Sequence, residues 1–400
     1  LFRRWRSGTA ADVPLFAALW LLAELARGVI FTGFPWVASG YAQVDAPLAV
    51  LAPWVGVYGI GAVGAALSAA LALPGRARRA GAGGRRPPCW RGLALAGPGQ
   101  HTQPGRDLSV QLLQPNVAQD EKFAADRMPA TLQWVASRLI ASRADLVVAP
   151  ETAVPLLPAS LEGFAPGYWQ ALQQRFAQGS QAALVGVPLG DFERGYTNSV
   201  AGLSAGRRAL PLRQAAPGAV WRVHPVRLSL VHRADAHSAG RLRTRGTGAA
   251  VVPGAGRARR TQHLLRRPVR RRTGAALRRP GAGAHAVCQR QQHRLVRQHI
   301  AVDQHLAISR LRALEFQLPM LRATNTGATA VIDHQGRVQA QLQPFTEGVL
   351  DARVQARHGV TPFAWWSARA GLWPWLALAL AVLGWRAFSA GAAGGRAVPR

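Results

Sequence analysis

Lysine is almost missing from this chain. Of the 49 basic residues among 400, 48 are arginine, and Lys122 is the one lysine. Acid is scarce as well, with 18 Asp and Glu, and the net charge is +31. Cysteine is reduced to Cys89 and Cys288, whose separation fits neither a metal-ligand set nor a disulfide framework. No cleavable signal peptide is visible and the chain opens at Leu1 without Met, so a fragment lacking its start is expected. The length allows two or three domains.

The charge is uneven. Residues 205–299 contain 22 Arg and one acid, Asp235, so this block carries +21 of the net +31. Arg, Gly and Pro in excess without a period point to disorder, to a nucleic-acid arm, or to a fault in the sequence itself. Arginine clusters do bind phosphate backbones. Here, however, Trp221 is the only aromatic residue and the arginines form no helical face. The block also interrupts a domain, and a structureless insert of that length argues against a domain feature. No nucleic-acid partner is expected.

Long apolar runs are present. Ala46 to Gly75 holds no charge, and about 20 apolar residues cross a bilayer core. Pro14 to Phe34 is a second expected span, interrupted by Glu24 and Arg27, which are three apart and can face a bundle interior or pair with each other. A third runs from Ala370 to Trp385, flanked by Arg369 and Arg386. Trp365, Trp366, Trp373, Trp375 and Trp385 cluster around its ends as interfacial aromatic residues do.

From Asp107 the pattern changes. Leu108 to Leu113 reads as a strand, closed by Pro115-Asn116. Met128, Leu132, Val135, Leu139 and Ile140 have helical spacing within Ala124 to Arg143. Leu146 to Ala149 is a short buried strand that ends in Pro150 and Glu151, within ADLVVAPETAVP. Those twelve residues alone leave Glu151 open as a surface carboxylate or a catalytic group. Further strands are expected at Ala182 to Leu189 and Asn198 to Leu203, a helix at Val302 to Leu318, and a hairpin from Ala328 to Leu342 around His334-Gln335-Gly336. The sum is an α/β or α+β layered domain.

Five stretches carry a family resemblance. They are FTGFPWVASGYAQVDAPLAVLAPWVGVYG from Phe31, SVQLLQPNV from Ser109, ADLVVAPETAVP from Ala144, YTNSVAGL from Tyr196, and IAVDQHLAISRLRALEFQLPMLRATNTGATAVIDHQGRV from Ile300. With these the chain resembles the bacterial apolipoprotein N-acyltransferases, whose soluble part is of the nitrilase (carbon-nitrogen hydrolase) type. The resemblance implies an αββα four-layer sandwich inserted between transmembrane helices, and a Glu, Lys, Cys triad. Glu151 matches the Glu of the first motif. The Lys and Cys should follow in a YxKxHLVPFGE motif and a CYE motif, and the chain shows neither.

Both absent motifs belong between Leu203 and Ile300, inside the Arg-rich block. Reading the last two bases of each codon with the first base of the next recovers them as permitted spellings. Leu212 to Val226 then allows YDKRHLVPFGEFIP, with the Lys spelled across Gln214 and Ala215. Gln262 to Gly274 allows NICYEDLFGEEL, with the Cys across Leu264 and Leu265. Val287 to His299 allows FANVSNIGWFGN. Three matches in one frame and in the family's order lead to the expectation that residues 205–299 are frameshifted.

The resulting organisation is transmembrane helices at 1–75, a basic linker at 76–106, a carbon-nitrogen hydrolase-like domain at 107–356, a C-terminal transmembrane helix at 363–388, and a tail at 389–400. The linker is a possible damaged span. The resemblance implies a multi-pass protein of the bacterial inner membrane, monomeric, with the domain facing the periplasm. It also implies acyl transfer from a membrane phospholipid to the N-terminal S-diacylglyceryl-cysteine of an apolipoprotein, by way of a Cys thioester. A thiol is mostly protonated at neutral pH and needs a base, the role Glu151 would take. Lys would stabilise the oxyanion, and no metal or diffusible cofactor is required. Cys89 and Cys288 lack the motif context to replace the nucleophile, and Lys122 reads as a solvated charge in a polar loop. Arg322, Asn325 and Thr326 read as supports of the site, and His305 as a packed or surface histidine. The chain as written is therefore expected to be inactive. The alternative is a non-catalytic membrane scaffold that kept the fold.

Overall fold

The computed structural model describes residues 1–30, 35–73, 99–118, 121–191, 195–205, 210–213 and 300–394, all within one compact unit. Apart from 205 and 210–213, the Arg-rich block lies outside them, as do both cysteines.

The N-terminal part is helical. A short turn, α1 (Phe2–Trp5), precedes α2 (Asp12–Arg27). A 3-10 turn, Pro47–Leu51, then leads into α3 (Ala52–Ala72). Together Pro47–Ala72 is long and apolar enough to cross a membrane. Within the expected span from Pro14 to Phe34, the described helix ends at Arg27. Helix α2 has 16 residues, about 24 Å at 1.5 Å per residue, which is short of a bilayer core. Glu24 and Arg27 do pair, at 3.5 Å, with the carboxylate buried. Helix α3 is also not the uniform rod its composition suggests. Gly56 sits at φ 65°, ψ −175° and breaks it after one turn.

The soluble domain begins with β1 (Thr102–Gln114). It continues through α4 (Met128–Ala141), β2 (Leu146–Val148), α5 (Pro158–Phe164), α6 (Tyr168–Ala177), β3 (Ala182–Asp191), β4 (Gly195–Ser204) and β5 (Leu210–Arg213). Strands β1, β2 and β3 are parallel, as the intervening helices require. Strand β4 turns back antiparallel on β3. The helices cover one face of this sheet. Leu132, Val135 and Leu139 of α4, with Leu172 and Phe176 of α6, meet Val147, Ala183, Val185 and Val187. Burying side chains of this size contributes about 1.5–3 kcal/mol each. Leu108, Val110 and Leu112 of β1 are buried as well, and by strand alternation they line the opposite face.

The helix at 300–316, α7, follows, and then β6 (Met320–Arg322), β7 (Ala330–Ile332) and β8 (Val338–Gln341) make a second sheet in that order. Helix α7 covers it, with Leu306 and Ala313 on Ala330 and Ile332. The expected hairpin is present: Asp333 accepts from the Gln335 and Arg337 amides, and Gly336 takes φ 73°. Strand β9 (Gly348–Gly359) returns to the first sheet and pairs antiparallel with β1 along its length. The sequence pattern does not show β9. Its alternation is charged and polar, and Val354 is its one fully buried side chain. The described part is thus a mixed α/β domain of two sheets, each with helices on one face.

Helix α8 (Pro362–Ala370) is N-capped by Thr361, whose hydroxyl accepts from the Ala364 amide at 3.1 Å. It meets α9 (Trp373–Gly394) at a bend of 84° across Gly371. The expected C-terminal span is therefore α9, preceded by a separate short helix. The pair counts as a second crossing only if taken as one broken span.

Candidate active site

Glu151 stands at the carboxyl ends of the parallel strands β1 to β3, where open α/β sheets place their ligands. Strand β2 stops at Pro150. The chain then turns through Thr152, whose φ of 55° is unusual for a β-branched residue. Hydrogen bonds from Ala149 to Leu184 O (2.8 Å) and from Val154 to Gly186 O (3.1 Å) press this turn onto β3. A Cβ at Gly186 would lie 2.1 Å from the Pro150 carbonyl oxygen, so only glycine fits beneath the turn.

Two side chains hold Glu151. Asn198, on β4, donates from Nδ2 to Glu151 Oε1 at 3.0 Å. Lys122 donates from Nζ to the Glu151 backbone carbonyl, also at 3.0 Å. The reading of Lys122 as a solvated charge is corrected accordingly. It is half-buried, and that burial lowers its pKa, while the nearby Glu151 charge opposes the shift. Its ammonium bonds the Glu151 main chain, not the carboxylate. Neither Asn198 nor Lys122 was singled out as a site residue from the sequence. The available signal for Asn198 was a polar amide within the strand YTNSV. For Lys122 there was none, since its partner is 29 residues away.

The RATNTG turn clamps the end of β1, from which the Lys122 loop departs. Asn325 accepts from the Val117 amide through Oδ1 at 3.0 Å and donates from Nδ2 to the Val117 carbonyl at 2.6 Å. The Thr326 carbonyl accepts from the Phe345 amide. Arg322 bonds Ala328 O, His305 O and Ser309 Oγ, and burial pushes its pKa down to about 10. All three side chains or their backbones are spent on holding the fold. His305 packs edge-on against Trp36, with ring centroids 3.8 Å apart.

Burial, helped by the Arg322 charge, lowers the His305 pKa from 6.5 to about 4. Between those values the unfolded chain binds the proton and the folded chain does not. Stability from this group is complete above about pH 6.5 and falls as the pH drops toward 4. His305→Gln should flatten that part of the pH dependence, read as urea midpoints from pH 7 to pH 4.5.

Chemically, the site offers a fixed, solvent-accessible carboxylate suited to proton abstraction. Among the described residues there is no thiol for it to serve, and no group of three or more His, Cys, Asp or Glu that could hold a metal ion.

The chain is similar to known proteins over most of its length. Residues 1–70 match the model for the apolipoprotein N-acyltransferase N-terminal domain, and residues 274–362 match the carbon-nitrogen hydrolase model. The apolipoprotein N-acyltransferase of Verminephrobacter eiseniae is 43% identical over 413 residues, covering 92% of this chain and 72% of the relative. That of Ralstonia nicotianae is 35% identical, covering 88% of this chain and 68% of the relative. A CN-hydrolase superfamily protein from Xanthomonas campestris is similar to this chain over 67% of its length and 96% of its own, at 17% identity and a TM-score of 0.33.

Proposed function

Because the chain belongs to the apolipoprotein N-acyltransferase family, we propose that its ancestral activity is transfer of an acyl chain from a membrane phospholipid to the amino group of an N-terminal S-diacylglyceryl-cysteine. Glu151 is the general base of that reaction. It would take the proton from a Cys thiol as the thiolate attacks the acyl ester, and return it to the leaving alcohol. The thioester then passes its acyl chain to the amine, and a Lys ammonium balances the oxyanion in each tetrahedral intermediate.

The observation that carries this reading is the position of Glu151. It is fixed at the carboxyl end of β2 by Asn198, with its main chain held by Lys122. The Cys and Lys are absent from their motifs in the chain as written, and a shifted frame across 205–299 permits a spelling of both. The four-layer sandwich, the inner-membrane location and the periplasmic face of the domain belong to the same proposal. The helix Pro47–Ala72 supports the membrane assignment. A non-catalytic scaffold is the second reading, favoured by the missing nucleophile.

The test uses the gene translated with the frame shifted across 205–299, in phospholipid vesicles with a diacylglyceryl-cysteine peptide. A gain of one acyl chain in the peptide mass is expected. An unchanged mass with a folded protein would refute the activity and leave the scaffold reading.

A further inference from the structure

The break in α3 is filled from the soluble domain. After Gly56, the helix restarts at Val57, whose amide would otherwise be an unpaired donor at a new helix N-terminus. That amide donates to Glu315 Oε1 at 2.7 Å. Glu315 lies on α7 and is fully buried. Its other oxygen pairs with Arg312, which also donates to the Tyr41 hydroxyl at 2.9 Å. The Glu315 carbonyl accepts from the Thr361 hydroxyl that caps α8.

The backbone around the break is shaped to admit this contact. A Cβ at Gly40 would lie 2.1 Å from Val57 O, and one at Gly56 would lie 2.2 Å from the Phe363 ring. One residue therefore joins the apolar helix and α7 through its carboxylate, α8 through its carbonyl, and the turn at Tyr41 by way of Arg312.

We propose that Glu315 is a positioning residue that docks the acyl-transfer domain onto the broken helix α3, by capping the half-helix that starts at Val57. The carboxylate suits that place, because a helix N-terminus favours a negative charge and supplies N–H donors. Helix α7 leads directly into β6 and the RATNTG turn, so the same helix that grips α3 also supports the clamp on Val117. Docking at this point would fix how far Glu151 stands from the bilayer. The inference rests on these contacts and holds whether or not the chain transfers acyl groups.

The test is a distance measurement on the full chain in lipid nanodiscs. Cys89 and Cys288 are changed to Ser, and spin labels are attached after Gln133→Cys on α4 and Ser68→Cys on α3, both exposed positions. The unchanged junction should give one narrow distance population. Glu315→Ala should widen it at least twofold with helix content held, while the unpaired Arg312 lowers the unfolding midpoint. Glu315→Asp keeps the charge but shortens the reach to Val57, and it serves as the readout should the alanine variant fail to fold. Gly56→Ala attacks the same contact from the membrane side. It should widen the distribution equally, and combining it with the Glu315 substitution should add nothing further. Unchanged widths, or widths that add in the combined variant, would overturn the proposal.

Discussion

Acyl transfer by the 400-residue chain as written falls to background, on the order of a millionfold below transfer by the same gene translated in the shifted frame across 205–299. The size of the gap follows from what is lost. A covalent mechanism has no first step without its nucleophile, and water cannot attack through a thioester that never forms. Loss of the Lys removes oxyanion stabilisation as well. The two losses do not multiply, because residues that act on one transition state are strongly non-additive. Glu151 persists in both chains and is expected to contribute little by itself. The comparison is made by mass spectrometry on the acceptor peptide and by trapping an acyl-thioester on the protein. Transfer by the chain as written at a rate within tenfold of the shifted-frame chain would show that another group does the chemistry.

In the shifted-frame chain, Glu151→Gln reduces acyl transfer by about 10²–10⁴-fold. The amide has the shape of the carboxylate, and its oxygen can still accept from Asn198 Nδ2, now 3.0 Å from Glu151 Oε1. It has no basicity, so the thiol stays protonated and thioester formation slows. Because Glu151 is exposed and the Lys122 contact goes to its backbone, folding stability should change by no more than about 0.5 kcal/mol. The measurements are single-turnover thioester formation and a urea midpoint. A rate above half that of the parent, with the midpoint held, would remove Glu151 from the chemistry.

Much of the domain was legible because its elements follow simple periods. Helix α4 shows Met128, Leu132, Val135 and Leu139 at helical spacing, and all four are buried. Strand β3 is an apolar run, and the Asp333 to Arg337 turn carries its glycine where a positive φ is needed. Strand β9 was not legible, because a strand paired along its length with β1 can be stable with a largely polar sequence. The break at Gly56 was hidden for the opposite reason. Every residue around it is apolar, and the chain is interrupted by Phe363 packing and by a carboxylate 258 positions away. Glu151 could be placed at the end of its strand from twelve residues, but Asn198 and Lys122 could not be assigned to it. Their meeting depends on the register of β4 against β3 and on a loop leaving β1, neither of which local composition encodes.

The nucleotide sequence from Tyr196 to Asp303 tests the central claim most directly, that Glu151 belongs to a triad whose Lys and Cys lie out of frame. The expected result is a set of codons that spell YDKRHLVPFGEFIP across Leu212 to Val226, NICYEDLFGEEL across Gln262 to Gly274, and FANVSNIGWFGN across Val287 to His299, all in one shifted frame. Codons for these same residues that cannot spell those peptides would contradict it, and the Arg-rich block would then be what the gene encodes.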